Sequence, residues 1–518
     1  MGVGGVFRRK TVEQIQGEHK RGELKRTLGA LNLVLLGIGC IIGTGIFVLT
    51  GHAAAEWAGP AIMISFIITG LLCAFVALCY AELASALPVS GSAYSYSYAS
   101  MGEIVAWVMG VLMLLEYGLA AATVAVGWSG YFVSLLGQNL HIVIPAALTA
   151  APSAGGVGIV NLPAILIVAA VTGLLVVGIS ESALVNNIIV FIKLAVVLAF
   201  IAIGSRFVHP ALWHPLVPPQ IPAPPVGTPM DIWHQIGRAL YDVVTGAKSS
   251  RFGLTGVIHG AAVIFFAYVG FEAVSTAGAE ARNPGRDMPI GILGALVICT
   301  TLYILTSAVL VGTVPYQLLD GPAPIATAVD SFHMGWFAVV VKIGAICGLT
   351  SVTLVLLYGQ TRVFYAMARD GLLPPFIATV HKRFKTPWIN TLIVGTFTAT
   401  CAGFLGLDTL SDVTNVGSLA AFAIVCITVI YLRIANPKME RPFKTPLFPL
   451  TPILGVVMCG LLLMSLMAVP KTRNFFLIYL AVGFVIYFFY GMWHSKLGKG
   501  LNVEGEELAP MGAPHPDA

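Results

Sequence analysis

Charge is what this chain has least of. Only 10% of its 518 residues are Asp, Glu, Lys or Arg, against about a quarter in a typical soluble domain. Such a deficit excludes a molecule that faces water on all sides. Short segments of alternating apolar and polar residues are also missing, which excludes a transmembrane β-barrel. The eight cysteines are Cys40, Cys73, Cys79, Cys299, Cys347, Cys401, Cys426 and Cys459. No two of them have the CxxC spacing of a metal site. Lying in apolar runs, they read as buried small hydrophobes. No HExxH, GxSxG or P-loop pattern occurs, so neither an enzyme nor a bound cofactor or metal is expected.

What the chain does have is apolar length. Hydrophobic residues make up 57% of it, and the mean hydropathy is +0.90. The apolar runs repeat at roughly 20 residues each, enough to cross a bilayer. Backbone groups in lipid must be satisfied within their own segment, so these runs are helices. The expected fold is an all-α membrane protein of about twelve spans. Their limits fall near 29–51, 60–86, 103–136, 162–180, 183–203, 256–279, 288–312, 335–365, 389–406, 412–434, 449–469 and 474–494. The third and eighth are long enough to require tilt or extension beyond the bilayer. The first follows a basic segment without a small-residue cleavage site, so it is expected to be retained rather than removed as a signal peptide.

An even number of spans puts both termini on one side. With the termini inside, 20 of the 28 Lys and Arg fall in inner segments, and six fall outside (Arg206, Arg238, Lys248, Arg251, Lys471, Arg473). The remaining two, Lys193 and Lys342, lie within spans. This asymmetry predicts cytoplasmic termini in a cytoplasmic (inner) membrane. It also explains the formal net charge of +5 by topology, so no nucleic-acid partner is expected. Residues 1–28 and 496–518 read as cytoplasmic ends, the second with the composition of a disordered tail. The long external connection 204–255 is Pro-rich from His209 to Pro229 and weakly amphipathic from Asp231 to Thr245, which suggests a surface cap.

Two spans carry interruptions. The first reads Gly37-Ile38-Gly39-Cys40-Ile41-Ile42-Gly43-Thr44-Gly45-Ile46-Phe47, and each glycine weakens a helix by about 1 kcal/mol relative to alanine. Small residues four apart also suit close helix contacts, which accounts for Gly39 and Gly43. The triplet Gly43-Thr44-Gly45 suggests unwinding instead. Unwinding leaves N–H groups at the start of the outer half-helix and carbonyls at the end of the inner one. The first set suits a carboxylate and the second an ammonium, and a zwitterionic amino acid presents both. The sixth span reads Ile264-Phe265-Phe266-Ala267-Tyr268-Val269-Gly270-Phe271-Glu272, where Gly270 permits a break. Weak points in spans one and six are the expected sign of two inverted five-helix repeats with a site at the midplane.

The first of these stretches, with four others, resembles the amino acid–polyamine–organocation superfamily, and within it the bacterial members of the cationic amino acid transporter family. The others are Tyr80-Ala81-Glu82-Leu83 leading to Pro88–Tyr94, Phe265–Thr276, Asn283–Ile292 and Gln360–Pro374. The resemblance spans roughly 25–495. It implies a 5+5 inverted repeat over 29–203 and 256–434, with helices one and six interrupted and two further helices within 435–495. Two features depart from the family's pattern. Ala279-Glu280 stands where members often have two acidic residues, and the 204–255 connection is longer than usual.

Ionisable residues inside spans are functional candidates by default. Lys193 lies too centrally in the fifth span for easy snorkelling. An ammonium taken out of water holds its proton less firmly, so proton coupling and a permanently charged structural role are both open. The resemblance favours coupling, because a lysine here in proton-coupled members takes the place of a sodium ion beside the first broken helix. It also points to Tyr303 as a hydrogen-bond partner, against the alternative of an interfacial belt residue. Glu116, within the third span, needs a partner or a proton, and it resembles a glutamate that contacts the first broken helix near Thr44. Glu82 and Glu272 read as interfacial or gate residues, and Lys342 as a snorkelling lysine near the external end of its span. Phe266 has the position of the aromatic that closes over substrate in the superfamily, though an aromatic in a membrane helix is more often packing. Leu356 stands where cation-transporting relatives carry a small polar residue. A leucine cannot solvate an ammonium or pair a guanidinium.

The expected substrate-binding set is Ile41, Ile42, Gly43, Thr44, Gly45, Glu116, Phe265, Phe266, Ala267 and Leu356, with Lys193 and Tyr303 for proton coupling. The expected function is proton-coupled uptake of small or moderate neutral L-amino acids by alternating access. An exchanger, a cationic amino acid or polyamine carrier on the same fold, and a substrate sensor are the alternatives. Because the termini are short, a sensor's signalling domain is not expected.

Overall fold

The computed structural model describes residues 8–9, 27–88, 91–152, 158–178, 183–221, 251–499 and 501. The amphipathic stretch 231–245, the end of the Pro-rich stretch (222–229), the disordered-tail expectation and nearly all of the N-terminal segment lie outside the described residues. Among the described residues there is no strand, only three isolated bridges. Nine helices are long and apolar enough to cross a membrane, and three shorter apolar ones accompany them. We label the helices α1 (Ala30–Ile41), α2 (Ile62–Ala86), α3 (Glu103–Asn139), α4 (Leu162–Val177), α5 (Ala183–Gly204) and α6 (Gly253–Ile264). There follow α7 (Pro284–Thr313), α8 (Gly335–Arg369), α9 (Trp388–Phe404), α10 (Leu407–Ala435), α11 (Leu450–Met467) and α12 (Pro470–Ile486).

Local sequence sets the helix ends. At the start of α4 the Asn161 side chain accepts from the Ala164 amide at 3.2 Å, an N-cap bond. Gly178, at φ +84°, ends the helix in the left-handed conformation that favours glycine. Leu28 donates to the Glu280 carbonyl at 3.0 Å and accepts from Arg282 at 2.9 Å, tying the start of α1 to the far side of the sixth span. The Arg8 guanidinium meets the Gly498 carbonyl, so the two ends of the chain share one face of the bundle.

Two groups of helices emerge. In one, α7 packs along α2 and α1, and α6 packs on α2. In the other, α8 packs on α3, and α9 on α4. Helix α5 bridges the groups through α1, α7 and α8, while α10 touches α11, α2 and α3. Within the connection 204–255, Trp213 donates to the Ala308 carbonyl at 3.1 Å and His209 to Gly312 at 2.7 Å. Residues 209–213 therefore sit on the C-terminal end of α7.

Most cysteines are buried, as their apolar settings suggest, but Cys347 is exposed and Cys401 only partly buried. Cys347 continues the outward stripe of Val340 and Ile343 on α8, a helical spacing, so its neighbours are outside the protein. Lys342 also corrects its expectation. Its side chain is fully buried, and its ammonium reaches Gln138, Asn139 and, at 3.5 Å, Asp330. With partners supplied by α3 and the helix Pro324–Asp330, it has no need to snorkel.

Both interruptions are present. After α1 the chain turns extended at Ile42 (ψ 98°), and Thr44 is already helical. The break is therefore centred on Ile42-Gly43, a residue or two earlier than the glycine triplet suggests. After α6 come a 3-10 turn over Phe265–Tyr268, an extended Val269 and Gly270 at φ +120°, then a 3-10 run over Glu272–Glu280. The breaks lie against each other. A Cβ at Gly45 would stand 2.2 Å from the Cα of Ala267, and one at Gly270 would stand 3.0 Å from Cys40. Overpacking of this kind costs about 1–3 kcal/mol. Gly45→Ala is expected to lower the thermal unfolding midpoint of the purified protein and abolish substrate binding. Unchanged values for both would show that the two half-helices do not need this approach.

Candidate functional site

The crossing of the broken helices forms one side of a narrow cavity, which in this conformation has room for about one water-sized molecule. The cavity brings together six of the residues expected from sequence: Ile41, Gly43, Thr44, Gly45, Phe266 and Leu356. Sequence reasoning missed Cys40, Ala120, Val124, Val269 and Val352, which complete the wall. Ile42, Phe265, Ala267, Glu116, Lys193 and Tyr303 lie outside it. Phe265 faces away, edge-on to Phe422 of α10.

One end of the cavity is polar. Thr44 opens the second half-helix of the first span, where the first amides of a helix have no intrahelical acceptor until Phe47 donates to the Gly43 carbonyl at 3.2 Å. Its hydroxyl is buried and, among the described residues, has no hydrogen-bond partner. The side chain is pressed against Gly127 of α3, where a Cβ would come within 3.0 Å. The rest of the wall (Ala120 and Val124 from α3, Val352 and Leu356 from α8, Phe266 and Val269 from the sixth span) is apolar. No residue lining the cavity is charged.

The carbonyl end of the first break has partners of its own. Lys193 of α5, fully buried, donates to the Gly39 carbonyl at 2.8 Å. Gly348 of α8 makes room for it, since a Cβ there would stand 3.1 Å from the lysine Cγ. The Tyr303 hydroxyl of α7 lies 2.7 Å from the Ile41 carbonyl and 2.8 Å from that of Ala267, one from each broken helix. The structure thus sets both predicted coupling residues against carbonyls of the first break, and neither lines the cavity. Tyr131 of α3 completes the support by donating to the Phe47 carbonyl at 2.7 Å.

Glu116 stands one turn before Ala120, inside a π-helical turn, Leu114–Leu119. Such turns concentrate at functional sites. Its carboxyl group is within electrostatic reach of Glu272 and adjacent to Ser418. One oxygen of each glutamate has no partner among the described residues. The second Glu272 oxygen accepts from the Gly270 amide at 2.8 Å. Glu272 therefore caps the second break within the core and is not an interfacial residue. Glu82 is likewise buried, held by Arg433 at 2.6 Å, Arg441 at 3.3 Å and the Thr445 amide at 2.8 Å. It anchors α2 to α10 near the face that carries the termini. Glu280, alone where the family often has two acids, lies 3.9 Å from Arg362.

Comparison with known proteins agrees with this architecture. Residues 28–489 match the family described as amino acid permease. The chain is 44% identical over 498 residues to the methylthioribose transporter of Bacillus subtilis (strain 168), covering 96% of this chain and all of that protein. It is also 44% identical over 500 residues to the branched-chain amino acid permease BcaP of the same organism, with the same coverage. Identity to the vacuolar cationic amino acid transporter 2 of Arabidopsis thaliana is 36% over 445 residues, 86% of this chain and 65% of that one. These relatives are carriers and not enzymes. With nine helices of spanning length among the described residues and a family match along most of its length, the chain is a multi-pass membrane protein and belongs to the amino acid permease family.

Proposed function

We propose that this protein is a secondary active transporter that takes up small or moderate neutral L-amino acids with protons, by alternating access. The observation that carries the reading is the cavity between the two breaks. Its polar end, the Thr44 hydroxyl and the amides of the turn it opens, suits a substrate carboxylate. Its uncharged wall suits an apolar side chain. Leu356 and Val352 offer nothing to a guanidinium or an ammonium, so arginine, lysine and polyamines fit poorly. Residues lining or framing the breaks (Ile41, Ile42, Gly43, Thr44, Gly45, Phe265, Phe266, Ala267) form the substrate site in this reading. Glu116 acts beside it through the sixth span.

The proposed architecture is a 5+5 inverted repeat over 29–203 and 256–434 followed by two helices. The five-helix separation of the breaks and the two helix groups support it. The group containing α1 and α6 rocks against the α3–α4–α8–α9 scaffold. Lys193 carries the proton, because its bond to Gly39 ties a titratable group directly to the moving half-helix. Tyr303 assists by bridging both breaks. The bias of basic residues places both termini in the cytoplasm of a cell whose inner membrane holds the protein. One relative of equal identity is named for methylthioribose, a neutral thioether sugar, and a neutral cavity does not exclude it.

A substrate panel in proteoliposomes with an imposed proton gradient tests this. Leucine, valine and alanine are expected to accumulate at least tenfold more than arginine or lysine, and methylthioribose belongs in the panel. Arginine uptake equal to that of alanine would overturn the role of Leu356. Lys193→Ala is expected to lose gradient-driven accumulation while still binding leucine; accumulation at the wild-type level would defeat the coupling role. Thr44→Val is expected to weaken leucine binding about tenfold, the worth of one hydrogen bond to a charged group, with the unfolding midpoint unchanged. Undiminished affinity would remove Thr44 from the site.

A further inference from the structure

On the face away from the termini, the outer half of the first span reaches a histidine held between two aspartates. His52 lies in the short turn Thr50–Ala53. Its Nδ1 is 2.9 Å from Asp320, in the connection between α7 and α8, and its Nε2 is 3.3 Å from Asp408, in the first turn of α10. The contact with the connection is built into the backbone. A Cβ at the neighbouring Gly51 would stand 2.3 Å from Pro324 and 2.8 Å from the Leu319 carbonyl, so only glycine lets the connection press down at this point.

The arrangement has a protonation requirement. A neutral imidazole carries one N–H and one lone pair. With a carboxylate oxygen against each nitrogen, either neutral tautomer sets a lone pair against an anion. Only the imidazolium donates to both. The imidazole bond also holds the Asp320 carboxyl below the usual carboxylate range, which keeps this partner ionised.

The other charged groups nearby are accounted for. Glu56, on the same extension, pairs with Arg251. Asp412 of α10 faces Asp408, His52 and Lys471, and Lys471 donates to Thr409 at 2.9 Å. From α6, His259 packs at a tilt against Trp57 and lies 3.2 Å from Ser465. From the helix Pro324–Asp330, Asp330 pairs with Lys342. The outer half of α7 has no charged residue. Acidic groups therefore dominate around His52, and its cation is the one that joins three separate elements.

We propose that His52, Asp320 and Asp408 form a proton-binding latch that closes this face of the protein over the substrate cavity. Protonated, His52 ties the outer half of the first span to the α7–α8 connection and to α10. Deprotonated, it must release one aspartate, and the outer half-helix is freed on that side. This deepens the transporter reading, on which it rests for the identity of the cavity.

Cys40, in the cavity wall, is a native reporter. Oriented proteoliposomes are treated on the His52 face with a membrane-impermeant methanethiosulfonate between about pH 5 and 8, the range in which histidine titrates. Modification of Cys40 is followed by mass spectrometry, with Cys40→Ser as the blank. Ratios of variant to wild-type rates cancel the thiol's own pH dependence. His52→Gln is expected to react at least fivefold faster than wild type near pH 5 and equally near pH 8. His52→Arg is expected to react more slowly than wild type near pH 8. If His52→Gln does not fold, as judged by its unfolding midpoint, Asp408→Asn at an exposed position takes its place with the same expected direction. A ratio independent of pH in the folded variant would overturn the latch. Labelling does not require proton-driven transport, so failure of proton coupling through Lys193 leaves this outcome readable.

Discussion

Where the two interrupted helices cross, no side chain separates them. Gly45 meets the Ala267 backbone, and Gly270 meets Cys40. Two chains can come this close only where both have given up regular helix. Each interruption then leaves amides and carbonyls that lipid cannot satisfy. Much of the interior answers that demand. Lys193 supplies Gly39, Tyr303 supplies Ile41 and Ala267, Tyr131 supplies Phe47, and Glu272 receives Gly270. Helices α3, α5 and α7 each contribute a polar side chain to the break of another element. These buried polar side chains serve backbone groups of the two interrupted spans.

Hydropathy made the helical class and most helix positions legible, because bilayer thickness and backbone satisfaction leave little freedom. The site was only partly legible. Glycine content marks where a helix is weak, but tertiary donors decide where it opens. The donors at Gly39 and Ile41 end α1 before the Gly43-Thr44-Gly45 triplet, a fact invisible in local sequence. Lys342 was misread for a similar reason, since distance to the helix end said nothing about Gln138 or Asp330. Ala120, Val124 and Val352 are ordinary apolar residues without a chemical signature. Helical spacing offered the one available signal: Ala120 and Val124 follow Glu116 by one and two turns, and Val352 precedes Leu356 by one turn.

The two faces of the bundle are sealed by different chemistry. Near the termini, Glu82 is buried against two arginines and an amide, and removing one partner from such a group is strongly destabilising. Backbone pairing of Leu28 with Glu280 and Arg282 adds a second layer. On the opposite face, Asp320 and Asp408 have side chains 49% and 72% exposed, so water can replace their partner at little cost. In this conformation the firmer closure lies on the side of the termini.

Tyr303 has one further consequence. Its hydroxyl carries a single proton, yet it lies within reach of two carbonyls from two different half-helices. At any instant one of them goes without that donor. One proton thus serves two carbonyls from two half-helices. Either carbonyl can part from the hydroxyl without leaving the tyrosine proton unpaired, so the bridge holds the two breaks together without fixing both bonds at once.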